Sequence, residues 1–352
     1  MHLQKEFEAM KCSPKPLLYH ALPMLAACLI ILTSCAGEEP ITHETFVMGT
    51  AAWITIHGLS EEEAQAASEE AFRELHRIDA MMSNWKKESE ISLLNRGSDG
   101  EPYDISRELY HLLERSLYYS RITGGAFDIT ARPLVRLWGF QGGSAHIPDL
   151  HEIEETMLLV GYEKVMLDGE STSIMMPPGM ELDLAGIAKG YGVDRAAAVL
   201  RERGAENGLV NLGGNIYAFG AAPGEKGWRV GIRDPRGGRR VIGSLVLVDE
   251  AVSTSGNYEN YVEIEGAVYG HIIDPRAGRP VSHMLSVTVV ALTAIEADAL
   301  STGLFVLGPE SGEKALQHVP GARALFAIPN GRGTIYRSIG GNGESFELDD
   351  SD

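Results

Sequence analysis

The chain has 352 residues and a formal net charge of −19 at pH 7, with 44% hydrophobic and 22% charged residues. So acidic a surface repels the phosphates of nucleic acids, and the sequence contains no basic stripe that would offset the repulsion. We therefore expect no nucleic-acid partner, and we attribute the charge to solubility.

The N-terminal segment predicts export. Lys11 and Lys15 precede an apolar run from Ala21 to Leu32, and small residues follow immediately before Cys35. This order is typical of a secretory signal peptide, and the apolar run is shorter than the roughly 20 residues that span a membrane. The tetrapeptide LTSC that ends at Cys35 resembles the bacterial lipobox. We expect cleavage before Cys35, lipidation of its thiol, and a lipid-anchored protein that faces the periplasm or cell exterior; an uncleaved anchor or cleavage near Ala36 stays open.

Cysteine usage excludes a disulfide framework. All three cysteines, Cys12, Cys28 and Cys35, lie at or before the expected cleavage point. Removal of the first 34 residues from 352 leaves 318, enough for one large domain or two small ones. The stability of the mature chain must therefore come from core burial and not from cross-links.

The first half of the mature chain is rich in predicted helices. Ser60 and Glu63 form a capping-box pattern at the start of the first helix. The predicted elements are a tether at Glu38–Glu44, a strand at Thr45–His57, a helix at Glu61–Met82, a polar loop at Ser83–Gly100, a helix at Ser106–Thr123, a proline-interrupted segment at Gly124–Phe140, and a helix at Ile153–Val160.

The second half is rich in predicted strands. They lie at Lys164–Leu167, Ser173–Met176, Gly208–Asn211, Trp228–Ile232, Val241–Val248, Ala251–Ser255, Tyr261–Glu265, Ser286–Leu292 and Ala322–Pro329. The predicted helices lie at Ala188–Arg203, Ala294–Val306 and Ser311–His318. Strands that mostly follow one another, with only a few helices between them, predict an α+β fold with antiparallel or mixed sheets and packed helices.

The segment DLAGIAKG, from Asp183 to Gly190, is the most informative motif. Apolar residues precede it, and its small residues lead into a predicted helix. The N-terminus of a helix presents unpaired N–H groups and the positive end of its dipole, which suits a phosphate, and Lys189 adds a cation there. Many α/β proteins contain such a turn for structural reasons alone, so the motif needs support from elsewhere in the chain.

Four other clusters could carry chemistry, and three of them have a structural alternative. A glycine in a strand-like run can form a bulge, paired glycines after a strand can form a hairpin, and an imidazole on an apolar strand can belong to the core. Asp274 can cap its own turn. The clusters are Met48–Thr50 (MGT), Asn211–Asn215 (NLGGN), Ser253–Tyr261 (STSGNYENY) and His271–Pro280 (HIIDPRAGRP).

The segment EADALST places Asp298 and Thr302 four residues apart, on one helical face. With a backbone carbonyl from elsewhere they would form the all-oxygen ligand set that Mg²⁺ prefers. The alternative is an ordinary first helical turn, in which the acidic residue interacts with the dipole and the threonine bonds back to a carbonyl.

These clusters occur in one order along the chain, together with SEISLLNR and GAFDITARPLVRLWGF. The combination resembles the ApbE family, the FAD:protein FMN transferases, over nearly all of the chain from Phe46 to Ile328. Each motif alone is weak, but together they are highly specific. The resemblance implies an ApbE-like, T-fold-like catalytic unit at 45–338, after a signal peptide at 1–34 and a tether at 35–44, and before an acidic tail at 339–352.

The resemblance also implies a reaction. Members of the family bind FAD as a substrate with Mg²⁺ and move its FMN half onto a threonine hydroxyl of a target protein as a phosphoester, with release of AMP. The expected acceptor is a respiratory flavoprotein subunit exposed outside the cytoplasm. Because metal and backbone donors can neutralise the pyrophosphate, no nucleophilic triad is expected.

The family motifs, matched position by position, imply the site residues. The metal ligands would be Asp298, Thr302 and a main-chain carbonyl near Ala188. The residues expected to contact FAD are Met48, Asn95, Asp128, Asp183, Gly186, Lys189, Gly213, Gly214, Ser255 and Asp274. The candidate base for the threonine proton is His271, since histidine titrates near neutral pH, and Asp298 could share or replace it.

The chain departs from the family pattern at Ala185, where glycine is common, at Ala277, where threonine is usual, and near Asn260, where arginine often stands. None of these departures removes the metal set. Two alternatives stay open: an FAD pyrophosphatase with the same site and metal but water as acceptor, and a flavin-binding lipoprotein without chemistry.

Overall fold

The computed structural model describes residues 39–141, 145–238, 240–257, 261–341 and 346–349. The expected lipidation at Cys35 and the departure at Asn260 lie outside these ranges. No helix within the described ranges is both long enough and apolar enough to cross a membrane.

Helices and strands alternate irregularly along the described chain. The helices are α1 (Glu61–Met82), α2 (Glu90–Gly97), α3 (Arg107–Ile122), α4 (Arg132–Leu137), α5 (Leu150–Met157), α6 (Ala188–Glu202) and α7 (Ala294–Leu316). The strands are β1 (Ile41–Val47), β2 (Thr50–His57), β3 (Tyr103–Asp104), β4 (Met166–Asp168), β5 (Ser173–Met175), β6 (Asn207–Leu212), β7 (Asn215–Phe219), β8 (Trp228–Arg233), β9 (Val241–Leu247), β10 (Glu250–Gly256), β11 (Tyr261–Ile264), β12 (Ala267–Gly270), β13 (Ile273–Asp274), β14 (Arg279–Pro280), β15 (Ser286–Ala291), β16 (Arg323–Asn330), β17 (Gly333–Gly340) and β18 (Glu347–Leu348).

The principal sheet has eight strands in the order β1-β2-β6-β7-β10-β15-β16-β17, and every neighbouring pair is antiparallel. Two three-stranded sheets, β18-β9-β8 and β3-β5-β4, and the hairpins β11-β12 and β13-β14 accompany it. Together with the packed helices, this architecture confirms the predicted α+β class.

Each face of the principal sheet carries a buried core. One face packs against α1, α6 and α7, and its core includes Ile54 and Phe326. The other face packs against β8 and β9 through a second core that includes Ile216, Trp228 and Val252. Burial of a large apolar side chain contributes roughly 1.5–3 kcal/mol. These two layers therefore stabilise the described part of the chain, which contains no cysteine.

The capping box predicted for α1 is present. The Glu63 N–H donates to the Ser60 Oγ at 3.4 Å, and the Ser60 N–H donates to the Glu63 carboxylate at 3.1 Å. The two helices predicted at Ala294–Val306 and Ser311–His318 are the two arms of α7, which is broken at Gly308. That residue has φ 71° and precedes Pro309, so the backbone leaves the helix and then starts again.

The prediction of one strand at Thr45–His57 was wrong, because the chain reverses inside it. Met48 and Gly49 have φ values of 52° and 74° and form the two-residue turn between β1 and β2. The segment MGT is therefore a hairpin turn and not a bulge. The predicted tether was also too long, since β1 already begins at Ile41.

Several short elements were missed. The predicted polar loop contains α2, whose Ser89 cap accepts a hydrogen bond from the Ser92 N–H at 3.2 Å and which buries Ile91 and Leu94. The proline-interrupted segment contains α4, and the predicted Lys164–Leu167 strand is instead a 3₁₀ turn at Tyr162–Lys164 followed by β4. Strands β7, β12 and β17 were also unforeseen.

The predicted acidic tail is partly structured. Strand β17 continues to Gly340, and β18 pairs with β9. The Phe346 side chain, which is 8% exposed, belongs to the second core. This apolar contact explains why the described part of the tail folds back onto the protein.

Candidate active site

The start of α6 lies against α7. Ile187, the residue before the helix, offers no side-chain cap. The Gly190 N–H in the first turn of α6 instead donates to the Asp298 Oδ2 at 2.8 Å, so a carboxylate from α7 satisfies this donor. A negative group at this position is also stabilised by the positive end of the helix dipole.

Glycine is required at position 190 for packing. A Cβ there would overlap the Ala294 carbonyl oxygen and would lie 2.8 Å from the Asp298 Cβ. The second glycine of the DLAGIAKG motif therefore permits the close approach of α6 and α7, which places Asp298 within hydrogen-bond distance of the first turn.

The opposite contact is made by Asp194, which lies one turn further along α6. Its carboxylate accepts hydrogen bonds from the Ala294 N–H at 2.7 Å and from the Ile295 N–H at 2.9 Å, at the start of α7. Burial raises the pKa of Asp194 to about 6. Each helix thus supplies the carboxylate that caps the other.

Hydroxyl groups from β10 and α7 gather beside this junction. The Ser255 Oγ lies 2.9 Å from the Ser301 Oγ and 3.4 Å from the Thr302 Oγ1. A Cβ at Gly186 would lie 3.3 Å from the Thr302 Oγ1, so the turn that precedes α6 passes directly over Thr302. The structure therefore brings Gly186, Ser255, Asp298 and Thr302 together, as the sequence motifs required. The Thr302 Oγ1 also donates to the Asp298 carbonyl oxygen at 3.3 Å, which is the back-bonding that the structural alternative foresaw.

Lys189 places a positive charge at the same junction. Its Nζ lies 3.9 Å from the Asp298 Oδ1 and donates to the Ala185 carbonyl oxygen at 3.2 Å. Asp298 is only 3% exposed, and burial raises the pKa of its carboxyl group while the nearby Lys189 lowers it. The site therefore combines one buried carboxylate, one ammonium group and the positive end of a helix.

Asn215 belongs to this site although sequence analysis did not select it. It begins β7, is 4% exposed, and lies beside Asp298, whose pKa burial raises and the nearby Lys189 and Asn215 lower. Its position at the end of NLGGN, directly after a predicted buried strand, was the available signal.

The oxygen atoms at the junction fit a hard cation. In the part of the chain that the structure describes, no three His, Cys, Asp or Glu side chains gather at metal-binding separations. A cation here would therefore have one carboxylate, Asp298, together with neutral oxygens such as the Thr302 hydroxyl and the carbonyl of Ala188, which begins α6. This set suits Mg²⁺, which keeps waters and shares phosphate ligands, and it lacks the nitrogen and sulfur ligands of zinc sites.

Two of the expected FAD-contacting residues shape the approach to the turn. The Asn95 side chain accepts from the Leu182 N–H at 2.7 Å and donates to the Leu182 carbonyl oxygen at 2.9 Å. The Asp183 carboxylate accepts from the Ala185 N–H at 3.0 Å and from the Gln141 side chain. Asn95 thus fixes the chain one residue before Asp183, which in turn fixes the start of the small-residue turn.

Two other expected FAD-contacting carboxylates make hydrogen bonds within the chain. Asp128 is mostly buried and accepts from Thr130 at 2.7 and 2.8 Å and from the Tyr162 N–H at 2.9 Å. Asp274 accepts from the Arg276 N–H at 3.0 Å and from its guanidinium group at 2.8 Å. Asp274 therefore caps its own turn, as the structural alternative proposed. The hydrogen bonds of Asp128 connect the loop that contains Thr130 to the loop that contains Tyr162.

Met48 and the glycines of NLGGN lie at one end of the sheet. A Cβ at Gly192 in α6 would lie 3.7 Å from the Met48 Sδ, so this turn packs on α6. Gly213 and Gly214 have φ values of 58° and 90° and form the β6–β7 hairpin. They also line a cavity of about 420 Å³ on the other face of the sheet, and the hairpin alternative describes what the structure shows.

His271 directly follows β12 and is half-buried. A Cβ at the preceding Gly270 would overlap the Asn257 side chain, and Asn257 lies two residues beyond Ser255. The segment that carries His271 therefore runs beside the end of β10. This arrangement is compatible with the expected role of His271 as a base, which stays a prediction.

Comparisons with known proteins are consistent across sequence and structure. The sequence profile of the ApbE family matches residues 48–326. An FAD:protein FMN transferase of Treponema pallidum is 34% identical over 334 residues, which cover 89% of this chain and 92% of that protein. The crystal structure of the ApbE protein of Thermotoga maritima superposes with a TM-score of 0.79 at 32% identity and covers 86% of this chain and 97% of that one. The flavin transferase ApbE of Vibrio cholerae gives a TM-score of 0.77 at 29% identity, with 86% and 97% covered.

Proposed function

The chain belongs to the ApbE family, and from this we propose that it transfers the FMN moiety of FAD to a threonine hydroxyl of a target protein, with release of AMP. The observation that supports the proposal most directly is the junction of α6 and α7. There the first turn of α6, Lys189, Asp298 and two hydroxyl groups converge on one place.

The reaction exchanges one P–O bond for another. The threonine oxygen forms a bond to the phosphorus of the FMN half, and the bond from that phosphorus to the bridging oxygen breaks. AMP leaves with the bridging oxygen, and the threonine proton passes to a base. Such a transfer requires the protein to neutralise the pyrophosphate, align the hydroxyl and stabilise the departing phosphate.

The start of α6 is suited to holding the pyrophosphate. Backbone N–H groups and the positive end of a helix dipole favour phosphate oxygens, and the Lys189 ammonium group lies at the same end of the helix. Because the chain as a whole carries a net charge of −19, an anionic substrate must be held by such local groups and not by the overall field.

We further propose that Asp298, Thr302 and the main-chain carbonyl of Ala188 hold Mg²⁺. A bound Mg²⁺ supplies positive charge that stabilises the transferring phosphoryl group. The Gly190 N–H holds the Asp298 carboxylate in place before any ligand arrives. Because this carboxylate is already oriented, it does not need to reorient during the reaction.

We propose His271 as the base that accepts the threonine proton, with Asp298 as the alternative. An imidazole changes protonation near neutral pH, whereas a carboxylate needs a raised pKa to serve as a base there. Burial does raise the pKa of Asp298, but this carboxylate already accepts a hydrogen bond and faces Lys189. These interactions favour His271 for the proton transfer.

Further parts of the proposal concern the setting of the reaction. We propose that lipid on Cys35 attaches the protein to a bacterial membrane facing the periplasm or cell exterior, and that the acceptor is a respiratory flavoprotein subunit. An exported site would meet acceptor threonines only on that side of the membrane. Radiolabelled palmitate incorporation that is lost in Cys35→Ala would support the attachment, and its persistence in that variant would refute it.

The test of function is a reaction of the purified chain with FAD, Mg²⁺ and a threonine-containing acceptor domain, followed by intact mass. We expect the acceptor to gain one FMN unit, in a reaction that requires Mg²⁺ and is lost in Asp298→Ala. Free FMN and AMP with an unmodified acceptor would instead establish a pyrophosphatase. FAD that binds but stays whole with every acceptor and metal would establish a binding protein.

A further inference from the structure

The Asn215 side chain is buried, and its hydrogen-bonding capacity is not fully used. It lies beside Asp298, where burial raises the pKa of the carboxyl group and the nearby Lys189 and Asn215 lower it. Its carbonyl oxygen Oδ1 has no hydrogen-bond partner among the described residues, although the residue is 4% exposed. Buried acceptors are nearly always paired, and an unpaired one costs free energy, so this oxygen requires an explanation.

The strand pairing places Asn215 beside the hydroxyl cluster. The next residue, Ile216, pairs with Val252 on β10. Ser253, which follows Val252, lies on the face of β10 that meets α7, where its Oγ is 3.3 Å from the Ser301 Oγ. Strand β7 also packs against α7, and Asn215 lies beside Asp298 there. Asn215 and Ser253 therefore approach the same stretch of α7 from adjacent strands.

A purely structural role explains only one end of the amide. A donor alone would suffice to hold Asp298, and the carbonyl would then be an avoidable cost. An asparagine carbonyl beside a carboxylate is instead a pair of ligands typical of hard divalent cations. Asn215 is neutral, so it adds an oxygen ligand without the repulsion that a second buried carboxylate would cause.

We propose that the Asn215 Oδ1 is a further ligand, directly or through one water, of the divalent cation held by Asp298 and Thr302. This inference rests on the metal site of the proposed function and adds a fourth protein oxygen from β7. The cation site then joins two helix positions on α7, the start of α6 and one strand of the principal sheet. A neutral fourth ligand also leaves the cation with spare positive charge for substrate phosphates.

The experiment measures cation binding and not turnover. The full chain, purified in detergent, is titrated with Mn²⁺ as a paramagnetic substitute for Mg²⁺, and free Mn²⁺ is followed by electron paramagnetic resonance. Asn215→Leu removes the oxygen with little change of volume, and we expect Mn²⁺ to bind about 10-fold or more weakly. Asn215→Asp adds a charge, and we expect tighter binding, together with a melting temperature that is lowered without metal and recovers on addition of Mn²⁺.

The matched control is Asn211→Asp, in the same hairpin. Asn211 lines the cavity on the other face of the sheet, and its Oδ1 accepts from the Gly214 N–H at 2.9 Å, which an aspartate can also do. We expect this added charge to leave Mn²⁺ affinity within about twofold, because it lies outside the ligand set. An equal increase in Asn211→Asp and Asn215→Asp would overturn the inference, since a general charge effect would explain both.

The experiments can refute the Asn215 ligand without refuting the transferase activity, and the reverse. Mn²⁺ affinity in folded Asn215→Leu equal to that of the wild type, or no Mn²⁺ binding by the wild type, would overturn the inference. If Asn215→Leu does not fold, Asn215→Asp decides alone, and unchanged or weaker binding overturns the inference. The acceptor mass shift in the wild type tests the transferase independently of either variant.

Discussion

Asp194 on α6 caps the start of α7, and Asp298 on α7 caps the start of α6. These two carboxylates fix the helix N-termini relative to each other without help from a ligand. The proposed phosphate site at the start of α6 and the proposed metal ligand on α7 are therefore one rigid unit. Substitutions that break either cap should affect both functions together.

Asp298→Asn separates the capping role of this residue from its proposed chemical role. An asparagine Oδ1 can still accept from the Gly190 N–H, so we expect the free energy of unfolding to change by less than about 1 kcal/mol. The loss of the charged ligand should lower FMN transfer by at least about 100-fold. Denaturant unfolding and acceptor mass measure the two effects. Full transfer by Asp298→Asn would refute the assignment of this carboxylate as a metal ligand.

Asp194→Asn tests the pH dependence of the crossed caps. Burial raises the pKa of Asp194 from 3.8 to about 6, so the folded state holds this proton more tightly than the unfolded state does. Loss of the proton therefore favours unfolding. Relative to Asp194→Asn, the wild type should lose up to about 3 kcal/mol of its free energy of unfolding as the pH rises from about 4 to above about 6.

The measurement for Asp194 is urea unfolding of both proteins across that pH range. The variant lacks one of the two hydrogen-bond acceptors at every pH, so its free energy of unfolding can differ from that of the wild type by a constant amount. Only a change of this difference with pH reports on the pKa of Asp194. Curves that stay parallel would show that the pKa of Asp194 is not raised in the folded state.

The boundaries of α1 and the interruption of α7 could be predicted from the sequence because their signals are local. The Ser60–Glu63 box and the Gly308–Pro309 break mark positions that neighbouring residues alone determine. The hairpin at Met48 could not be recognised, because a non-glycine residue with positive φ gives no composition signal. Asn215 was missed for a different reason: its importance comes from Asp298, which is 83 positions away in the sequence and lies near it only when α7 packs on the sheet.

Substitutions at Gly190 and Gly192 distinguish the roles of two glycines in the same helix, α6. A Cβ at Gly190 would overlap the Ala294 carbonyl oxygen, so Gly190→Ala should destabilise the fold by about 1–3 kcal/mol and lower transfer, since α6 and α7 must move apart. A Cβ at Gly192 would lie 3.1 Å from the flexible Leu75 Cδ2. Gly192→Ala should therefore change stability by less than about 1 kcal/mol, because alanine is also the better helix former.

Thermal unfolding and acceptor mass compare these two variants directly. Equal destabilisation by both would mean that the helices have room to adjust and that Gly190 does not set their separation. Destabilisation by Gly190→Ala without loss of transfer would mean that the crossed caps are not needed for the reaction.

His271→Gln tests the proposed base. Glutamine keeps a polar side chain of similar length but cannot accept a proton near neutral pH, so we expect transfer to fall by about 100-fold or more while Mn²⁺ binding is unchanged. If His271 is the base, the wild type should lose activity below neutral pH. This acidic limb should be absent from the pH–rate profile of His271→Gln. His76→Gln, an exposed histidine on α1, serves as the matched control and should leave both unchanged. If the acidic limb persists in His271→Gln, another group takes the proton, and Asp298, with a pKa raised by burial, is the candidate that the structure supplies.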